Sequence, residues 1–138
     1  MLRRILVPVD GTEFSWRALE YAVRLAELTS CSLVVMTVVA EDIPQPVIEC
    51  EGDVLYAQMG DDVLDAVHAV LHSKNIDCTY LLVNGGSVAE AILDVVDSED
   101  CDGIVMGSKG KGLMRGLLHK SVSYAVLAQT KVPITIVK

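Results

Sequence analysis

Two short apolar runs, Ile5–Val9 and Leu33–Ala40, constrain the fold of this 138-residue chain more than any other feature. Both are nearly continuous and rich in β-branched residues, which is typical of parallel strands that are covered on both faces. Between them, apolar residues recur at helical spacing over residues 16–26, and Thr12 or Ser15 is available as the helix N-cap. The sequence therefore predicts two parallel strands connected by a helix.

The same alternation continues to the end of the chain. Five strands alternating with four helices indicate an α/β fold with a doubly wound parallel sheet. A chain of 138 residues supports one such core but not two, so we predict a single domain over residues 1–138. The further strands are predicted at Thr79–Val83, Gly103–Gly107 and Ile134–Val137, and the further helices from about Asp53 to Ser73, from Val88 to Asp97 and from Ser121 to Gln129.

Composition excludes several classes of protein. Although 51% of the residues are hydrophobic, no apolar run approaches the roughly 20 residues of a membrane span, and the first run is too short for a secretory signal. We therefore expect a soluble, cytoplasmic protein with no membrane partner. A net charge of −8 argues against non-specific binding to nucleic acid.

The stretch Gly107-Ser108-Lys109-Gly110 is the most informative feature for function. It follows a predicted buried strand, and nine residues later Lys120-Ser121 opens a predicted helix. Glycine lets an anionic group approach the main-chain N–H donors, and a helix N-terminus adds unpaired N–H groups and a positive dipole end. Residues 103–138 also carry six basic and no acidic residues, whereas residues 1–102 have a net charge of −14. This pattern predicts a phosphate-binding loop.

Two other segments are expected at the same edge of the sheet. The long connections 40–52 and 108–120 each follow a strand, so both lie at the carboxyl edge, where such folds bind ligands. Asp10, directly after the first strand, is placed either to accept hydrogen bonds from a base or ribose or to cap the first helix. The lack of a GxGxxG after the first strand argues against a dinucleotide Rossmann site, and the lack of a GxxxxGK[ST] excludes a Walker P-loop.

Taken together, these segments resemble the universal stress protein family. Its nucleotide-binding members carry G-x2-G-x9-G-[ST], which is matched here by Gly107, Gly110 and Ser121, with Lys120 in place of the third glycine. The likeness covers essentially the whole chain and implies a Rossmann-like sheet with strand order 3-2-1-4-5. The other matching segments are Ile5–Gly11, Gly85–Leu93, Ile104–Gly110 and Val132–Val137.

The resemblance also implies a function and a set of site residues. It implies an ATP- or AMP-binding regulatory protein of the stress response, with Mg²⁺ as a possible companion, that forms a homodimer through the last strand, Ile134–Val137. The base and ribose would lie against Pro8, Val9, Asp10, Val38, Met106 and Gly107, and the phosphates against Gly110, Lys120, Ser121 and Val122.

Two alternatives remain open at this point. One is an interaction module of the same fold that has lost nucleotide binding, since Lys120 replaces a motif glycine. The other is a slow ATPase, although no catalytic residue is assigned because Asp10, Ser108 and His119 show no partners for hydrolysis in the sequence. No metal site is predicted. His68 and His72 have a metal-capable i,i+4 spacing, but no third ligand is evident and surface solvation is favoured.

Overall fold

The structure, a computed structural model, describes residues 2–39, 48–50, 53–55, 58–84, 86–108 and 122–138. The strands are β1 (Arg4–Pro8), β2 (Ser32–Val39), β3 (Ile48–Cys50), β4 (Asp53–Leu55), β5 (Cys78–Asn84), β6 (Gly103–Gly107) and β7 (Ile134–Val137). The helices are α1 (Glu13–Thr29), α2 (Gln58–Leu71), α3 (Val88–Ser98) and α4 (Val122–Gln129).

Five of these strands form one parallel sheet in the order β5-β2-β1-β6-β7. Counted along the chain, the five strands have the order 3-2-1-4-5, so the predicted doubly wound, Rossmann-like α/β fold is confirmed. The central strand β1 has no exposed surface at Ile5, Leu6 or Val7. Full burial on both faces explains why this strand is a continuous apolar run rather than an alternating one.

Helices cover the two faces of the sheet in pairs. Alternate strand residues point to opposite faces, so Ile5 packs with α1 and α2, whereas Leu6 packs with α3 and α4. The same alternation holds on β2, where Val35 joins the first cluster and Met36 the second. Burying each such side chain contributes about 1.5–3 kcal/mol, so the paired layers stabilise the sheet from both sides.

The predicted helix from Asp53 to Ser73 is wrong at its beginning. Residues Asp53–Leu55 form β4, which pairs antiparallel with β3 in a separate two-stranded sheet, and the helix begins only at Gln58. Cys50 pairs with Asp53, and strands this close in sequence are typical of a hairpin. The apolar residues Val54 and Leu55 fit helical and strand patterns equally well over so short a run, and the pairing with Ile48 and Glu49 decides between them.

Asp102 holds the amino end of β1 against β6. Its Oδ1 accepts hydrogen bonds from the main-chain N–H groups of Arg3 and Arg4, both at 3.0 Å, and its Oδ2 accepts from Arg3 at 3.0 Å. Burial alone would raise the pKa of Asp102, but these N–H donors and the Arg3 guanidinium together lower it below its ordinary value. Asp102 thus lies at the amino edge of the sheet, opposite the carboxyl edge where such folds bind ligands.

Candidate functional site

The candidate site lies where β1 and β6 end side by side. β1 pairs with β2 on one side and with β6 on the other. The chain leaves β1 for α1 on one face of the sheet, whereas α3, which leads into β6, covers the other face. This is the topological switch point, and the crevice beyond the carboxyl ends of such strands is where open α/β sheets bind ligands.

The loop after β1 is held by hydrogen bonds that centre on Asp10. Its Oδ1 accepts from the Thr12 main-chain N–H at 3.0 Å and from the Thr12 hydroxyl at 2.6 Å. Between these residues Gly11 has a φ of +84°, a conformation that L side chains rarely adopt. Asp10 therefore fixes the turn through an Asx-type arrangement.

Thr12 is the N-cap of α1. Its side chain accepts from the Ser15 N–H at 3.4 Å, while the Ser15 hydroxyl donates to the Thr12 carbonyl at 2.9 Å and accepts from the Asp10 N–H at 3.3 Å. Of the two caps that the sequence allows, Thr12 is the one used, and Ser15 braces it from a buried position. Asp10 is therefore not the cap itself. It accepts hydrogen bonds from Thr12 and so holds the capping residue in place.

Gly107, at the end of β6, is in close contact with the first turn of α1. A Cβ added at this position would lie 2.7 Å from the Phe14 carbonyl carbon, 2.8 Å from the Phe14 carbonyl oxygen and 2.9 Å from the Phe14 Cβ. All three distances are far inside ordinary van der Waals contact. The fold itself therefore requires glycine at this motif position. The close contact places the end of β6 against the first turn of α1, next to the Asp10 loop.

A hydrogen bond joins the two ends of the glycine-rich segment. The Ser108 N–H donates to the Val137 carbonyl at 2.9 Å, and the Ser123 hydroxyl donates to the Ser108 carbonyl at 3.3 Å. Ser123 is in the first turn of α4 and is buried. The chain therefore leaves β6 at Ser108 and returns at Val122 to the same place beside the sheet, where α4 begins. Gly110, Lys120 and Ser121, which are predicted phosphate contacts, lie outside the described residues.

The residues predicted to border the base divide between the two faces of the sheet. Val38 and Met106 pack on the α3 and α4 face, and by alternation from Leu6 the Pro8 side chain lies on that face too. Val9 packs on the opposite face and is only 3% exposed, and its N–H donates to the Met36 carbonyl at 2.8 Å. Pro8 and Val38 are half-buried at the carboxyl edge. These two side chains and the small exposed part of Met106 form an apolar surface, here called the platform. The Val9 side chain is not part of it, because it lies on the opposite face.

Phe14 and Ser123 at this edge were missed by sequence reasoning, and Ser15 was considered there only as a helix cap. Phe14 is missed because its role depends on its main chain, which no sequence pattern reports. Ser123 is missed because its partner Ser108 is 15 residues away and the contact depends on packing. The role of Ser15 had a usable signal, since a serine three residues after a capping threonine is well placed to bond back to the loop.

Metal-binding side chains are not clustered in the described part of the chain. No cluster there contains three or more histidine, cysteine, aspartate or glutamate side chains placed to hold one ion. Nor does any helix in these described ranges have the length and apolar character needed to cross a membrane.

Two proteins with similar sequences are stress proteins. The chain is 27% identical over 137 residues to the universal stress protein Sll1654 of Synechocystis sp., with 99% of this chain and 86% of that protein covered. It is 26% identical to the stress response protein NhaX of Bacillus subtilis, with 98% of this chain and 97% of that protein covered.

Solved structures share the fold. A universal stress protein from Archaeoglobus fulgidus in complex with dAMP matches with a TM-score of 0.69 at 18% identity, covering 100% of this chain and 98% of that one. A universal stress protein in complex with cAMP matches with a TM-score of 0.69 at 22% identity, covering 99% and 97%. A family protein from Arabidopsis thaliana with AMP bound gives 0.65 at 14% identity, covering 99% and 91%.

The family model described as "Universal stress protein family" matches residues 1–138. The match spans the sheet, the Asp10 turn and the segment between β6 and α4. The protein belongs to the universal stress protein family.

Proposed function

We propose that this protein binds an adenine nucleotide at the carboxyl edge of its sheet and acts as a regulatory protein of the stress response. The observation that carries the proposal is the fastening of Ser108 to Ser123 at 3.3 Å, beside the Asp10 turn. It brings the end of β6 next to the first turn of α4, so the glycine-rich segment begins and ends beside the switch point. Family structures of 14–22% identity with AMP, dAMP or cAMP bound support adenosine phosphates as the ligand class.

The base and ribose are assigned to the platform of Pro8, Val38 and Met106. An adenine ring is flat and apolar on its faces, so half-buried aliphatic side chains at the strand ends suit it. Asp10 offers carboxylate oxygens to ribose hydroxyls or the exocyclic amine. The main chain of Val9 borders this surface, and its side chain contributes only to the core below.

The phosphates are assigned to the segment between Gly107 and Val122. The positive dipole end at the start of α4 favours an anion there, and main-chain N–H groups of a first helical turn are common donors to phosphate. Gly110 allows close approach, the Ser121 hydroxyl adds a donor, and the Lys120 ammonium neutralises phosphate charge. AMP and ATP differ only in the contacts of the outer phosphates. Titration with AMP, and with ATP with and without Mg²⁺, therefore shows how many phosphates contribute to binding and whether Mg²⁺ does.

A homodimer through β7 is part of the proposal. Within the described residues β7 pairs only with β6, so its outer edge offers main-chain groups to a second strand. Ile136 is 37% exposed on this strand, and Tyr124 and Leu127 are more than half exposed on α4. Pairing of β7 with β7 of a second copy gives hydrogen-bond partners to the main-chain groups at this edge and covers exposed apolar side chains.

The first experiment asks whether a nucleotide is bound at all. Protein purified without added nucleotide is denatured, and the released small molecules are identified by mass spectrometry; AMP or ATP is expected. The stripped protein is then titrated with AMP, and with ATP with and without Mg²⁺, by calorimetry. Following ADP in the same ATP samples separates binding from slow hydrolysis.

Matched variants locate the site. Gly110→Val is expected to abolish binding, and Lys120→Ala to weaken it about fivefold because one charge near the phosphates is lost. Lys131→Ala removes a charge from the same basic tail and should leave the dissociation constant unchanged. If no nucleotide is released and millimolar AMP and ATP give no heat, or if Lys120→Gly creates binding that the parent lacks, the protein is instead an interaction module with an empty site.

The dimer is tested by light scattering on a sizing column. Ile136→Lys places a charge on the edge strand and is expected to give a monomer, whereas Asp94→Lys on the exposed side of α3 should leave a dimer. A monomeric parent protein at micromolar concentration contradicts the edge-pairing proposal.

A further inference from the structure

His68 and His72 form a facing pair at the end of α2. The two residues are one helical turn apart, and the His72 N–H donates to the His68 carbonyl at 2.8 Å, so the helical geometry continues through this turn. Both side chains are exposed, and their ring centroids are 5.5 Å apart with 36° between the ring planes. They lie on the α2 surface, away from the carboxyl edge to which the nucleotide is assigned.

This separation is close to that of a two-imidazole chelate. A divalent transition-metal ion binds histidine nitrogen at about 2.0–2.1 Å, which places the ion about 3.2 Å from each ring centroid. With an angle at the ion of about 90° for Ni²⁺ or Cu²⁺ and about 110° for tetrahedral Zn²⁺, the two centroids are then about 4.5–5.2 Å apart. The observed 5.5 Å is within about 1 Å of these values, so rotation about the side-chain bonds can bring a nitrogen from each ring to one shared ion.

Tyr80 restrains one member of the pair. Its ring, on β5, meets His68 edge to face with centroids 5.5 Å apart and a 61° angle between planes. Tyr80 is half-buried against the core beneath α2, so it limits the positions open to His68. A ligand that is already restrained loses less conformational entropy when it binds.

Acidic residues outnumber basic ones in the sequence around the pair. Asp65 precedes His68 by one turn and Asp77 directly precedes β5, whereas Lys74 is the nearest basic residue in sequence. Residues 1–102 as a whole have a net charge of −14. Since no third protein ligand is in place within the described residues, water completes the coordination.

We propose that His68 and His72 chelate a late first-row divalent metal ion, with Ni²⁺, Cu²⁺ and Zn²⁺ as the suitable ions. Imidazole nitrogen is a favoured ligand for all three. Two neutral imidazoles with water in the remaining positions make an open site, separate from nucleotide binding. The bound ion ties the last turn of α2 in its folded geometry.

The test is calorimetric titration of the untagged protein with Ni²⁺ near neutral pH under reducing conditions. One ion per chain with a dissociation constant of roughly 1–100 μM is expected, and His68→Gln and His72→Gln should each weaken it by about tenfold or more. The control His72→Gln/Ser73→His keeps the number of histidines but moves one out of the facing position, and it should not restore binding. His119→Gln should retain it.

Two further measurements separate chelation by this pair from loss of the fold and from Ni²⁺ binding elsewhere on the chain. Melting of each variant without metal establishes that the fold is kept, since both histidines are exposed. Ni²⁺ should raise the melting temperature of the parent and of His119→Gln by more than that of any variant lacking one or both members of the pair at the same Ni²⁺ concentration, because an ion bound only by the native state stabilises it. Equal Ni²⁺ affinity in parent and His68→Gln/His72→Gln protein, full affinity in the Ser73→His control, or no binding at millimolar Ni²⁺ overturns the proposal.

Discussion

The contact between Gly107 and α1 makes a strong prediction about stability. Gly107→Ala adds a Cβ that meets the Phe14 main-chain carbon at 2.7 Å and oxygen at 2.8 Å. Ordinary contacts between carbon atoms are about 3.5–4.0 Å, so the helix must move by several tenths of an ångström or more. The atoms in the way belong to the backbone of a packed helix and cannot rotate aside. Overpacking of this kind costs about 1–3 kcal/mol.

Gly103→Ala is the matched control at the other end of the same strand. Its added Cβ also meets an atom at 2.7 Å, but that atom is the Leu2 Cδ2, the end of a flexible side chain that is 36% exposed. Leu2 can turn away, and alanine reduces the conformational entropy of the unfolded chain. The free energy of unfolding is therefore expected to change by less than about 0.5 kcal/mol.

Urea denaturation of the three proteins measures the difference directly. For a chain of 138 residues, the loss in Gly107→Ala corresponds to a fall in melting temperature of roughly 4–12 °C. Phe14→Ala should not rescue Gly107→Ala, because it leaves the main-chain atoms and Cβ of residue 14 in place. If Gly107→Ala is no less stable than Gly103→Ala, the reasoning from backbone contact is refuted.

Three other experiments test the Asp102 hydrogen bonds, the helix cap at Thr12 and the buried Cys101 thiol. Asp102→Ala removes the acceptor for Arg3 and Arg4 and should cost about 1–3 kcal/mol in urea unfolding; because the folded pKa of Asp102 is lowered, its contribution in the parent is present above the ordinary carboxyl pKa and declines as pH falls below about 4. Thr12→Val removes the N-cap and should cost about 1 kcal/mol, whereas Thr12→Ser keeps the oxygen and most of the stability; equal losses would contradict the cap. Burial raises the pKa of the Cys101 thiol to about 11, so iodoacetamide at pH 8 should label it far more slowly in native than in unfolded protein, and its contribution to stability should be lost as pH rises from about 9 to 11.

The arrangement of the sheet could be predicted because its signals are redundant. Each of the five parallel strands is a short apolar run between helical patterns, and the observed bounds of β1 and β2 differ from the predicted ones by one residue at each end. The strand order came from family resemblance and could not be read from those runs. The β3–β4 pair was missed because two three-residue strands carry too little pattern to outweigh a plausible helix.

The candidate site was predictable in outline only. The sequence places Asp10 and Gly107 at the ends of β1 and β6, and the carboxyl edge follows from any parallel sheet. It does not indicate that Val9 and Met106 pack on opposite faces of the sheet. Strict alternation along β1 and β6 assigns these faces only when the register between the two strands is known. The fastening of Ser108 to Ser123 depends on how α4 packs, which no local pattern encodes.

The roles of Gly107 and Asp10 change how the family motif predicts function. Gly107 is required by its contact with Phe14, and Asp10 by the turn that presents Thr12 to α1, whether or not a ligand is present. A family member that has lost nucleotide binding should therefore keep both residues, because replacing either one destabilises the fold. Gly110 and Ser121 are assigned here only to phosphate contacts, so under the proposed function they are the positions expected to change when selection for phosphate binding ends. Among members of the family, nucleotide binding should consequently follow the residues at 110 and 121 rather than those at 10 and 107, and calorimetry on members that differ only in one of these pairs tests this directly.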